Sequence, residues 1–116
     1  METKAQDWNG IVAYYQRHAA NGMGDEMLLL VQHIISSGAS YRLFAFTSIA
    51  VLKVSIYEMM HNNHETLHIH FDREKIVFQF RYYATGNSYD QPEFCRQYSA
   101  DLGMEKFDQF IHWIRW

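Results

Sequence analysis

The stretch ETLHIHFDREKIVFQFRYYA, residues 65–84, restricts this chain more than any other. Over 66–71 the apolar Leu67, Ile69 and Phe71 alternate with Thr66, His68 and His70. Over 76–83, Ile76, Phe78, Phe80 and Tyr82 alternate with Val77, Gln79, Arg81 and Tyr83. A period of two over this length predicts two strands, each with one buried face. Asp72, Arg73, Glu74 and Lys75 supply a polar turn. A hairpin closed there sets Phe71 opposite Ile76, Ile69 opposite Phe78 and Leu67 opposite Phe80. Every large apolar side chain then shares one face, and His68, His70, Gln79 and Arg81 share the other. A slip of one residue would mix the two sets, so burial itself fixes which face is which.

Elsewhere the periodicity changes. Asp7 is placed to cap a helix over 5–20, where Trp8, Ile11, Val12, Tyr15 and Ala19 make one stripe. Residues 21–24, Asn-Gly-Met-Gly, stop it. A second helix over 26–36, with Asp25 at its start, is apolar around more than half its circumference and is expected to be deeply buried. Residues 41–47 and 51–58 read as another strand pair. A three-residue loop at 48–50 sets Phe46 opposite Leu52 and Phe44 opposite Val54, with Tyr41, Leu43, Ala45, Lys53, Ser55 and Tyr57 on the other side. Asp90-Gln91-Pro92-Glu93 has the form of a helix start, predicting a short helix over 91–99. A last helix over 104–115 turns Phe107, Phe110, Ile111 and Ile114 inward. The order α-α-β-β-β-β-α-α predicts an α+β domain: a four-stranded antiparallel meander sheet with helices packed on one face.

The chain has 116 residues, enough for one domain with its own core. Its formal net charge of -3 argues against a protein built to coat a polyanion, and no RNA-binding aromatic box accompanies the strands. Its single cysteine, Cys95, rules out an intrachain disulfide and is expected to be a buried, inert thiol. The first ten residues lack a signal pattern, and the densest apolar run, 27–31, is too short to span a bilayer. A cytoplasmic protein is expected. No serine nucleophile elbow or phosphate loop occurs.

Three features remain as candidate sites. The outer sheet face gathers Tyr57, His68, His70, Gln79, Arg81 and Tyr83, with Tyr41 and Lys53 beside them: rings and cations, as open sheets use to hold single-stranded nucleic acid, which the net charge disfavours, or an acidic protein segment. Trp113 and Trp116 close the chain, either as a lid over the helices or as a patch for a partner. His61, His64, His68 and His70 are close in sequence, and His68 and His70 leave one strand on one face, as two ligands of a divalent transition metal would. His68-Ile69-His70 followed by Glu74 resembles the first metal motif of the cupins, but Asn62 stands where that motif has glycine and no Pro-x-Gly follows, so the family is set aside. The expected role is a small, non-enzymatic binding protein without cofactor. It would act on another protein, or on a second copy of itself, as an inhibitor, immunity-type protein or adaptor. The alternative is a metal-binding protein or metal-dependent enzyme built on the four histidines.

Overall fold

A computed structural model describes residues 3–60, 64–85 and 91–116. In chain order these form β1 (Thr3–Lys4), α1 (Trp8–His18), α2 (Glu26–Ser36), β2 (Phe44–Ser48), β3 (Val51–Ser55), β4 (Met59–Met60), β5 (Thr66–Asp72), β6 (Val77–Tyr83), β7 (Phe94–Ser99) and α3 (Gly103–Ile114). The main sheet is antiparallel in the order β2-β3-β5-β6-β7, and β1 pairs with β4 in a separate small ribbon. The architecture is α+β as the periodicity predicts. The sheet has five strands rather than four.

The helices form where the apolar stripes place them. The Asp7 carboxylate accepts a hydrogen bond from the Asn9 amide, 2.9 Å, and so caps α1. A π-helical turn, Ala19–Met23, ends in Gly22 and Gly24, both at positive φ. Ile11 and Tyr15 of α1, Leu30, Val31 and Ile34 of α2 and Phe107 of α3 are fully buried. They share one core with Leu52, Val54, Leu67, Ile69, Phe78 and Phe80 of the sheet.

The central hairpin keeps its faces but not its register. Ile69 pairs with Phe80, Phe71 with Phe78 and Leu67 with Tyr82, two residues from the expected partners. The turn runs through Ile76, which takes φ 57° and stands exposed instead of opening β6. Asp72 organises the turn, its carboxylate accepting from the amides of Glu74 (3.0 Å) and Lys75 (3.2 Å). Because the side-chain period is two, a two-residue shift leaves each side chain on its expected face.

In the first hairpin the shift is one residue, and β2 turns over. Ala45 pairs with Val54 and Phe46 with Lys53. Leu43 and Ala45 therefore meet the helices, while Phe44 and Phe46 lie on the outer face, half-buried. The cause is a two-residue turn, Ile49-Ala50, with both residues at positive φ (50° and 66°), the conformation whose twist matches a tight hairpin. Neither residue favours it. The turn is pinned from below: the Ala50 amide donates to the Tyr14 hydroxyl, 3.0 Å, and the Tyr15 hydroxyl donates to the Ala50 carbonyl, 2.9 Å. A left-handed residue other than glycine costs roughly 1–2 kcal/mol, and glycine returns about half of that through its looser unfolded state. Ala50→Gly and Ile76→Gly are each expected to stabilise the fold by about 0.5–1 kcal/mol, read by chemical denaturation; a loss of stability would mean the side chain, not the backbone, sets these turns.

Residues 94–99 correct the expected helix. They form β7, paired with β6 from Tyr82↔Phe94 to Val77↔Ser99. Phe94, Arg96 and Tyr98 then fall on the helix side, where Tyr98 meets Phe80 edge-on at 5.2 Å and Phe94 joins the rings of Phe110 and Trp113. Pro92 donates no amide and is accommodated just before the strand. Ring packing across the sheet outweighs the local cap signal. After α3, Arg115 turns left-handed (φ 65°) and folds Trp116 back, its amide donating to the Ile111 carbonyl, 3.0 Å.

Candidate functional site

The outer face of the sheet carries a cross-strand row. Phe46 faces Lys53, Lys53 faces His68, His68 faces Arg81 and Arg81 faces Cys95. Cys95, expected to be buried, is exposed, because an edge strand and not a helix carries it. One step along the strands, His70 faces Gln79 and Gln79 faces Gln97. Strand alternation alone puts these side chains on the face away from the helices. Together Ser48, Ile49, Val51, Lys53, His68, His70, Gln79 and Arg81 line an open basin of about 450 Å³. Ile49 stands at its rim, 94% exposed on the strained turn. The Arg81 guanidinium donates to the Gln79 side-chain oxygen, 2.7 Å, and the Lys53 ammonium lies over the Phe46 ring, 5.3 Å from its centre. Across Ile49 and His70 a second hollow changes sign, with Glu26, Asp72 and Glu74 in its walls.

Toward the other end the face closes. Ser55 and Thr66 are buried, their hydroxyls donating to the carbonyls of Glu65 (2.7 Å) and Val54 (3.2 Å). Tyr83 is only 3% exposed and packs its ring against His68, 4.6 Å between centres. Burial first, then the charges of Lys53 and Arg81, push the His68 imidazole down to about 3. It is neutral at physiological pH. Burial also lowers the Lys53 ammonium.

The residues singled out from sequence separate into groups. His68, His70, Gln79 and Arg81 line the basin together, and Tyr83 backs it through His68. Tyr57 lies beyond the end of β3, stacked on His64 at 4.1 Å; the His64 Nδ1 sits 3.2 Å from the Met59 carbonyl. His61 lies outside the described residues. Among the described residues no three of His, Cys, Asp and Glu come close enough to hold a metal ion. Trp113 is exposed on α3, whereas Trp116 packs on Tyr82 and Phe110 and donates from its indole to Glu65, 3.1 Å. Glu65 also accepts from the Tyr82 hydroxyl. That bond and, more strongly, burial raise the Tyr82 phenol above its ordinary value. Sequence reading missed Ile49 and Phe46 as members of the face. The alternation Phe44-Phe46 was visible, but the turn that reverses it was not. No helix is long and apolar enough to cross a membrane among the described residues.

Comparison with protein-family models, curated proteins and solved structures returned no match.

Proposed function

We propose that this chain is a small cytoplasmic binding protein that works by protein–protein contact through the outer sheet face, and that the surface it holds there is acidic. The observation carrying the proposal is the row Lys53-His68-Arg81 in an open basin: two cations on either side of a neutral imidazole, with the aliphatic Ile49 and Val51 in its walls. A carboxylate entering the basin gains charge-assisted hydrogen bonds from Lys53 and Arg81. Ile49, held out on a backbone conformation it does not favour, supplies the apolar contact at the rim. An inhibitor, immunity-type or adaptor protein would use such a face.

The double variant Lys53→Gln/Arg81→Gln is expected to lower partner recovery from lysate of the source cells by at least about tenfold, with the melting temperature within a few degrees of wild type. Recovery that is unchanged, and unaffected by raising salt, would remove the proposal. Tyr83 is too buried to serve as a clean probe. The rival reading, a divalent ion on His68 and His70, draws on their shared place in the basin. Against it, Lys53 and Arg81 flank the position a cation would take. Stoichiometric zinc, nickel or copper in protein purified without a histidine tag would favour the rival.

A further inference from the structure

The two edges of the main sheet differ. At the β2 edge the backbone is already occupied: the Gln6 amide donates to the Ala45 carbonyl (2.8 Å), the Gln6 side-chain oxygen accepts from the Thr47 amide (3.0 Å), and the Trp8 indole donates to the Leu43 carbonyl (3.0 Å). Beyond β7 no strand lies among the described residues. Within Phe94–Ser99 there is no proline, and the one charge is Arg96. An edge with no paired strand among the described residues is a template for another strand.

A groove runs along this edge. It is lined by Phe94 and Tyr98 of β7 and by Lys106, Gln109, Phe110 and Trp113 of α3, with a volume of about 150 Å³. Trp113, 62% exposed, overhangs the Phe94 end. The Lys106 ammonium lies over the Tyr98 ring at the other end, 5.4 Å from its centre. Between them the Arg96 guanidinium sits over Phe94 (4.9 Å) and donates to the Cys95 carbonyl (2.8 Å). The cations are thus held over rings along the groove.

We propose that β7 and the overhanging face of α3 take an extended segment of a partner protein as an added antiparallel strand. The recognised pattern is Glu-x-Glu-x-Leu. Running antiparallel, its first acid lies by Tyr98 and Lys106, its second by Arg96, and its apolar residue by Phe94 under Trp113. Backbone pairing supplies affinity and the alternate side chains supply choice. Charge complementarity selects an acidic segment, since Arg96 and Lys106 are both held over rings at the groove. This inference rests on the edge and groove, not on the outer-face basin.

The test titrates the full chain into a fluorescein-labelled peptide, Thr-Glu-Thr-Glu-Thr-Leu-Thr, followed by anisotropy. Saturable binding is expected, weakened at least about tenfold by Lys in place of both Glu and by Arg96→Glu/Lys106→Glu, but unchanged by Lys53→Gln/Arg81→Gln. Two further peptides carry N-methyl groups on alternate backbone nitrogens, one on the odd and one on the even positions. One of the two should lose binding and the other keep it, because a strand turns alternate amides to its neighbour. No saturation by about millimolar peptide, equal binding by both methylated peptides, or indifference to Arg96→Glu/Lys106→Glu would each overturn the proposal. A dimer of the free chain that Arg96→Glu dissociates would assign the edge to a second copy instead.

Discussion

Gly103→Ala is expected to destabilise the protein by about 3 kcal/mol, lowering the melting temperature by roughly 10 °C. The sign is opposite to the usual one. In an exposed helix this exchange gains about 1 kcal/mol. Here Gly103 opens α3 at ordinary helical angles, and a methyl group on it would overlap the ring of Phe78. That ring cannot retreat: it is buried, packs edge-on against Phe71 at 4.9 Å and faces Tyr98 across the strand. The double variant Gly103→Ala/Phe78→Leu should recover about 1–2 kcal/mol relative to the sum of the two single changes, because the smaller side chain admits the methyl group. Strict additivity in that cycle would show that the contact does not limit how closely α3 approaches the sheet.

The second large effect concerns pH. In the unfolded chain the His68 imidazole takes up a proton near its ordinary value of about 6.5; in the folded protein it does so only at about 3. Between these values the unfolded state binds more protons, so stability contributed by this site is whole above about pH 7 and is lost as pH falls. The loss is about 1 kcal/mol at about pH 5.5 and about 2–3 kcal/mol at about pH 4.5. His68→Gln should shift stability by a constant at neutral pH and flatten this acid limb. Among the described residues the groups facing His68 are Lys53, Arg81 and Tyr83, none of them a carboxylate or an imidazole, so the difference between the two curves reports on the His68 ring. Parallel curves would mean His68 is solvated in the folded state. Direct observation of its ring protons by NMR would give the same answer without a mutation.

Much of this arrangement was legible from side-chain period alone. Ile69 and Phe80 had to turn toward the helices once His68 and Arg81 turned away, and they do. The stripe of α2 gave its ends, 26–36, to the residue. What escaped was set by backbone geometry that the residue types do not advertise. Ile76 looks like the first residue of a strand and instead closes a turn at positive φ. That error spans two residues, so it leaves the faces intact. Ile49 and Ala50 look like loop filler and instead make a two-residue turn, held by hydroxyls of Tyr14 and Tyr15 from 35 and 36 residues away. That error spans one residue, so Phe44 and Phe46 exchange faces with Leu43 and Ala45. At β7 the cap-like Asp90-Gln91-Pro92-Glu93 masked a real alternation of Phe94, Arg96 and Tyr98. The outward placement of His68, His70, Gln79 and Arg81 followed the period; the β7 groove depended on recognising an edge strand and was not legible.

The proposed contact surface is tested most directly by photo-crosslinking in the cells that make the protein. The photoreactive residue p-benzoylphenylalanine is placed singly at Ile49, at Arg81 and, as controls, at Arg17 on α1 and Leu29 on α2, all exposed positions. Ile49 and Arg81 are expected to give the same covalent partner, and the helix positions are expected to give none. Adducts from Arg17 or Leu29, with none from Ile49 and Arg81, would place the partner on the helical side and contradict it.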